Sequence, residues 1–231
     1  MTTESLLPAD TGALRLVVFD WDGTLMDSPR RIIWCLQHTA RALGVEVLPE
    51  DRLRDIIGLG VDVAVRRLYP EADDDFVEGF ATTYRRCYLG SGEAPETPLY
   101  PGARALLEWL DREGFLLAVA TSKSRPGLDQ ALASSGLGGL FVTTATSDEY
   151  PSKPNPAMLE GVIRNTGVEP ANTRMIGDSV YDLEMARNAG VRAIAVTHGV
   201  HTAERLREAS PLALVADLHG LHTRLQTARA G

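Results

Sequence analysis

Two aspartates two positions apart stand in the segment Asp20-Trp21-Asp22-Gly23-Thr24, directly behind the apolar run Leu14-Arg15-Leu16-Val17-Val18-Phe19. At the end of a strand, acids with this spacing can both face one crevice, and Gly23 permits a sharp turn immediately after them. Held together beside a buried strand they repel and need a cation or a proton to compensate. A second apolar run delivers Gly177-Asp178-Ser179, with Asp182 one helical turn on. Taken alone, Asp178 also allows the lesser reading of an ordinary acid at a helix N-terminus. A third run ends in Thr121-Ser122-Lys123. Of the 23 cationic side chains only two are lysines, Lys123 and Lys153, and both follow such runs. Beside Lys153, Asn155 suits a helix N-cap and Pro156 the first helical position. That local reading leaves the lysine unexplained, and a compact ammonium suits a point-charge role that a planar guanidinium fits less well. Clustered carboxylates without Cys or His partners form an oxygen-ligand set suited to Mg²⁺. The hydroxyls of Thr24, Thr121 and Ser179, turn N–H groups and Lys153 suit a phosphate dianion. Together they point to phosphoryl transfer.

These residues can meet only if the apolar runs lie side by side. Such runs recur at 14–19, 115–120, 140–143, 174–176, 191–196 and, weakly, 213–215. Nearly continuous apolar stretches suit strands covered on both faces. Amphipathic helix patterns lie between and after them, at 103–112, 127–135, 157–165, 181–189, 203–208 and 218–229. The alternation predicts an α/β fold with a doubly wound parallel sheet, whose ligands bind beyond the carboxyl ends of the strands. From about Ser28 to Pro98 the rhythm changes to helix-spaced apolar residues, such as Ile32, Leu36, Ala40 and Leu43. This stretch reads as a small helical module inserted after the first strand, closed by a linker-like segment from Gly90 to Pro101.

Composition narrows the function classes. The chain of 231 residues is 44% hydrophobic and 23% charged, enough for a main domain with a smaller one. A net charge of −8 argues against a nucleic-acid binder that relies on an overall basic surface. No apolar run approaches the ~20 residues that span a bilayer, and residues 1–13 show no secretory-signal pattern. Two cysteines, Cys35 and Cys87, are too few for a disulfide framework and read as packing residues. A cytoplasmic protein is expected, as a monomer or a homodimer.

The segments FDWDGTLMDS, SKPNP and GDSVYDLEMARNAGV, with Thr121 between them, resemble in order and separation the four motifs of the haloacid dehalogenase superfamily, and among its members the phosphoglycolate phosphatase-like hydrolases. The likeness runs from about Leu14 to the end of the chain; Ser122 stands where relatives often carry Asn. It implies a core of residues 1–27 and 99–231 and a helical cap of residues 28–98. It also implies a two-step mechanism. Asp20 would attack phosphorus and form an aspartyl-phosphate, and Asp22 would act as acid and then base. Mg²⁺ would be held by Asp20, the main-chain carbonyl of Asp22, and Asp178. Thr121, Ser122 and Lys153 would bind the phosphoryl group, with Thr24, Ser179 and Asp182 in support. The expected substrate is a small phosphorylated metabolite, phosphoglycolate or a sugar phosphate.

Other readings remain. A phosphomutase of the same architecture would use Asp22 equally well. A dehalogenase has no need of a second acid to protonate an alkoxide. A phosphate-accepting receiver domain also combines acids, a hydroxyl and a lysine, but on a shorter domain with its acceptor on a middle strand. Gly58-Leu59-Gly60 lacks the third glycine and the preceding strand of a dinucleotide loop and reads as a turn between cap helices. His198-Gly199-Val200-His201 reads as a loop bordering the crevice. Trp21 reads as a packing or gating side chain, and the Arg pairs 30–31, 66–67 and 85–86 as solvated helix faces.

Overall fold

A computed structural model describes residues 14–90 and 92–230; residues 1–13, in which no signal pattern is found, lie outside the described residues. Six strands form one sheet in the order β3-β2-β1-β4-β5-β6. They are β1 Leu16–Phe19, β2 Leu116–Thr121, β3 Thr143–Thr146, β4 Thr173–Gly177, β5 Arg192–Val196 and β6 Ala213–Val215. Every pairing is parallel, so all the carboxyl ends lie along one edge. The chain leaves β1 toward β2 and β3 on one side, then returns to build β4 to β6 on the other. The switch in direction falls between β1 and β4, where the loops part and leave a crevice.

Side-chain alternation explains why β1 can be apolar throughout. Val17 and Phe19 join a core with Leu106, Leu107 and Leu110 of α5 (Ala103–Arg112) and Leu221 and Leu225 of α10 (Leu218–Ala230). Leu16 and Val18 join the opposite core with Leu159 and Val162 of α7 (Ala157–Thr166) and Leu183 and Met185 of α8 (Val180–Asn188). The sheet is thus covered on both faces, as a doubly wound fold requires. The two remaining core helices are α6 Arg125–Ser135 and α9 Ala203–Glu208.

Two local expectations need correction. The third strand begins at Thr143, where the expected 140–143 ends; residues 138–140 form a 3₁₀ turn, and Val142 is 57% exposed. β3 is an edge strand with β2 as its one neighbour, so β-branched threonines serve where continuous hydrophobicity is unnecessary. Helix α7 starts at Ala157, as its apolar pattern predicts, but Pro156 takes the N-cap position in place of the first helical one. Asn155 still caps it, its Oδ1 accepting from Ala157 N at 3.0 Å.

Between β1 and α5 the chain forms helices α1 Pro29–Ala42, α2 Glu50–Asp55, α3 Val61–Leu68 and α4 Asp74–Leu89. Their apolar faces, with Ile33, Leu53, Val65 and Phe80, bury a separate third core. The strand-to-insert crossings run together: Asp27 N donates to Pro98 O at 2.8 Å and Tyr100 N to Leu25 O at 2.9 Å. Among the described residues no helix is long and apolar enough to cross a membrane.

Candidate active site

The strand ends deliver the acids that the sequence singled out. Asp20 follows β1, Asp178 follows β4, and Asp182 lies in the first turn of α8. One carboxylate oxygen from each of Asp20, Asp178 and Asp182 lies within 4.8 Å of the others, and all three residues are buried. Three buried acids this close, with oxygen donors alone, repel unless a cation sits among them. The donor set fits a hard divalent ion such as Mg²⁺.

Glycine makes the approach possible. A β-carbon at Gly23, where φ is +86°, would overlap the Asp178 carboxylate, as would one at Gly199. Asp178 is held from two sides: Oδ1 accepts from Thr24 Oγ1 at 2.7 Å and Oδ2 from Val200 N at 2.8 Å. Asp182 forms a capping box with Ser179, accepting from its N at 3.1 Å and its Oγ at 2.7 Å. Asp182 therefore caps its helix and belongs to the acidic cluster at once.

Lys153, with a fully buried side chain, reaches across to bridge two of the acids. Its Nζ lies 2.8 Å from Asp20 Oδ1 and 2.6 Å from Asp182 Oδ1. Burial alone would strip its proton, but Asp182 and Asp20 outweigh that and hold the ammonium charged. On Asp20 the balance runs the other way. Burial pushes its carboxyl up to about 7; Lys153 opposes the shift and the Asp182 charge adds to it. Asp178 is raised well above the usual carboxylate range by burial, then by Asp20 and Asp182. Without a metal, the cluster carries more carboxylate than its single lysine can neutralise.

Asp22 stands apart from these three acids, half-buried under the inserted helices. Its Oδ1 accepts from Ser28 Oγ and lies 3.0 Å from Lys123 Nζ. Lys123 in turn donates to Tyr88 Oη of α4 at 2.8 Å and sits 4.1 Å from the centre of that ring. Lys123, Tyr88 and Ser28 carry no role in the sequence reading; the signal that pointed to Lys123 was its rarity in an arginine-rich chain. Thr121 is buried at the end of β2, its Oγ1 accepting from Lys123 N at 3.2 Å. Ser122, expected at the phosphoryl group, instead donates its hydroxyl to Gly58 O at 2.6 Å.

The insert docks on this edge through several contacts. The Gly58–Gly60 turn joins α2 to α3 and lies against the core: Gly60 N donates to Ser152 Oγ at 2.8 Å, and Gly58, at φ +106°, approaches Ser179. Asp55 pairs with Arg205 of α9, and Arg67 donates to Tyr181 Oη at 3.0 Å. Within the Arg pairs, then, Arg67 reaches the core. Arg31 donates to the carbonyls of Tyr88, Gly90 and Pro95. His198 Nε2 contacts Thr24 O at 3.0 Å and His201 Nδ1 accepts from Val180 N at 3.0 Å, so both histidines brace the loops around Asp178. Trp21 is buried, stacked edge-on to Phe141 and donating to Met26 Sδ, which makes it a packing residue. Cys35 is buried and Cys87 half-buried, their sulfurs 3.0 Å apart.

Residues 17–196 match the family described as haloacid dehalogenase-like hydrolase. The chain is 31% identical over 214 residues to the phosphoglycolate phosphatase of Pseudomonas putida, covering 90% of this chain and 78% of that one. It is 33% identical to the phosphoglycolate phosphatase of Agrobacterium fabrum, covering 96% and 93% of the two chains. A crystal structure from Clostridium acetobutylicum, described as a predicted phosphatase, superposes with a TM-score of 0.84 at 26% identity, covering 93% of this chain and 99% of that one. The motif order, the doubly wound sheet with its helical insert and the buried acidic cluster agree with these likenesses: the chain belongs to the haloacid dehalogenase-like hydrolases, as a Mg²⁺-dependent phosphatase.

Proposed function

We propose that the chain hydrolyses a small phosphomonoester in two steps, with Asp20 as nucleophile and Asp22 as proton carrier. The observation that carries this reading is the meeting of Asp20, Asp178 and Asp182 with Lys153 at the switch point of the sheet. In the first step an Asp20 oxygen forms a bond to phosphorus while the ester P–O bond breaks, and Asp22 gives its proton to the departing oxygen. In the second, Asp22 takes a proton from water as that water attacks the aspartyl-phosphate, releasing inorganic phosphate and restoring Asp20. Lys153 orients Asp20 and, with Thr121, faces the phosphoryl oxygens. Asp20 and Asp178, with the Asp22 carbonyl, would hold Mg²⁺. The ion, when bound, supplies positive charge against the repulsion between carboxylate and phosphate.

Residues 28–98 act as a cap that covers the leaving group, and the core comprises 1–27 and 99–231. The paired backbone crossings at Asp27–Pro98 and Leu25–Tyr100 support that boundary. Phosphoglycolate is the reference substrate by the names of the relatives, with sugar phosphates beside it. A net charge of −8 supports a reading without a nucleic-acid ligand, and two free cysteines support a cytoplasmic setting, where we take the chain to be a monomer or homodimer.

The test is phosphate release from a broad panel of metabolite phosphates, with Mg²⁺ and with EDTA, for the wild type and Asp20→Asn. Release that needs Mg²⁺ and Asp20 is the expected result. Isomer conversion without phosphate release would favour a mutase. Full activity of Asp20→Asn would remove the nucleophile assignment.

A further inference from the structure

A recess opens from Asp20, Asp22 and Thr121 into the cap, with about 750 Å³ of empty space when the open solvent at its mouth is included. Its far wall is built by the insert: Leu36 from α1, Ile56, Ile57 and Leu59 from the turn after α2, Ala64 from α3, and Tyr84 and Tyr88 from α4. Burial raises both tyrosines well above their ordinary range, and nearby acids add to it, so these phenols stay neutral. The polar groups along the core side are engaged: Ser122 on Gly58 O, Ser147 on Ser122 O, Ser124 on Gly127 N.

The cations are engaged as well. Lys123 is paired with Asp22, and Lys153 with Asp20 and Asp182. Arg85, at the mouth, faces Asp62 at 3.4 Å. With Asp22 carrying the proton it gives to the leaving group, the catalytic edge still sets three carboxylates, Asp20, Asp178 and Asp182, against two lysines. A phosphate dianion arriving with a divalent cation leaves that surplus of negative charge as it stands. A further carboxylate on the leaving group would enlarge that surplus and would face the apolar side chains and neutral phenols of the cap wall.

We infer that the part of the substrate beyond the phosphate is a neutral, mainly apolar group of a few carbons, seated against Leu36, Ile57, Leu59 and Tyr84 of the cap. This rests on the phosphomonoesterase reading above and departs from phosphoglycolate, whose leaving group is anionic, and from sugar phosphates, whose leaving groups carry many hydroxyls. Each methylene that moves from water onto this wall should raise kcat/KM by roughly fourfold, the equivalent of ~0.8 kcal/mol.

The test uses ethyl, n-butyl and n-hexyl phosphate, whose leaving alcohols have similar basicity, beside phosphoglycolate and the activated ester acetyl phosphate. Calorimetric binding of hexylphosphonate, ethylphosphonate and 3-phosphonopropionate, which cannot be hydrolysed, gives a readout independent of turnover. The expected result is a rise in kcat/KM along the alkyl series and at least about tenfold tighter binding of hexylphosphonate than of 3-phosphonopropionate. Val61→Lys, on the half-buried rim of the recess, should shift preference toward phosphoglycolate while leaving acetyl phosphate turnover in place. Hydrolysis of acetyl phosphate with a flat alkyl series, or tighter binding of 3-phosphonopropionate, overturns the inference and leaves the phosphatase reading standing. No turnover of any ester would sink the phosphatase reading. The order of phosphonate binding would then decide the apolar site by itself.

Discussion

Replacing Asp20 with Asn should change not just activity but the way stability depends on pH, and burial sets the size of the effect. In the metal-free fold the Asp20 carboxyl is pushed from an ordinary 3.8 to about 7, chiefly by burial. At about 1.4 kcal/mol per pH unit this amounts to ~4 kcal/mol of preference for the protonated form in the folded state. The folded chain therefore holds more protons than the unfolded one between these values. The stability this confers is present in full below the unfolded value and is lost as pH rises through about 7. Roughly 3 kcal/mol of the loss falls between pH 5 and pH 8. His198, His201 and His222 are lowered by burial and act in the opposite sense, stabilising the fold as pH rises toward their ordinary value. They are common to both proteins and cancel in the difference. The assay is urea unfolding of wild type and Asp20→Asn in EDTA across this range. Wild-type stability relative to the variant should fall by about 3 kcal/mol from pH 5 to pH 8, most steeply between about pH 5 and 6 and levelling off above about 7. Saturating Mg²⁺, which binds the carboxylate and not the acid, should stabilise the wild type more at pH 8 than at pH 5. A flat or rising difference in EDTA would refute the reasoning, because it would mean that Lys153 alone keeps Asp20 ionised throughout.

Lys153→Met leaves Asp20 and Asp182 buried without their shared cation, and urea unfolding at neutral pH should register a loss of about 3–5 kcal/mol. Gly199→Ala places a methyl against the Asp178 carboxylate; Mg²⁺ affinity by calorimetry should weaken about 10–100-fold, as when a supporting group around a metal ligand is lost. Asp22→Asn removes the proton carrier, so turnover of alkyl phosphates should fall about 10²–10⁴-fold. The first step with acetyl phosphate, whose leaving group needs no proton, should fall much less, as burst kinetics would show.

The sequence alone determined which residues arrive at the catalytic edge. An apolar run leading into Asp20-Trp21-Asp22-Gly23-Thr24, or into Gly177-Asp178-Ser179, is a local pattern: the run is buried as a strand, and the residues after it must emerge at its end. The same locality made the inserted helices readable from their spacing and allowed Lys153 to stand out by its rarity. The third strand lies further along the chain than its apolar residues suggest, because an edge strand needs little hydrophobicity and Thr143–Thr146 carries a weak signal. Pairings between residues far apart in the chain become visible only once the strands and helices are packed. Tyr88 meets Lys123 over Asp22, Ser122 turns toward Gly58, and the Gly199-Val200 turn closes on Asp178. The pairing of Asp55 with Arg205 joins residues 150 positions apart. Such contacts depend on how the insert sits against the sheet, which three separate hydrophobic cores settle together. No periodicity in a single segment carries that information, and the chemistry of the recess that faces the leaving group is written there.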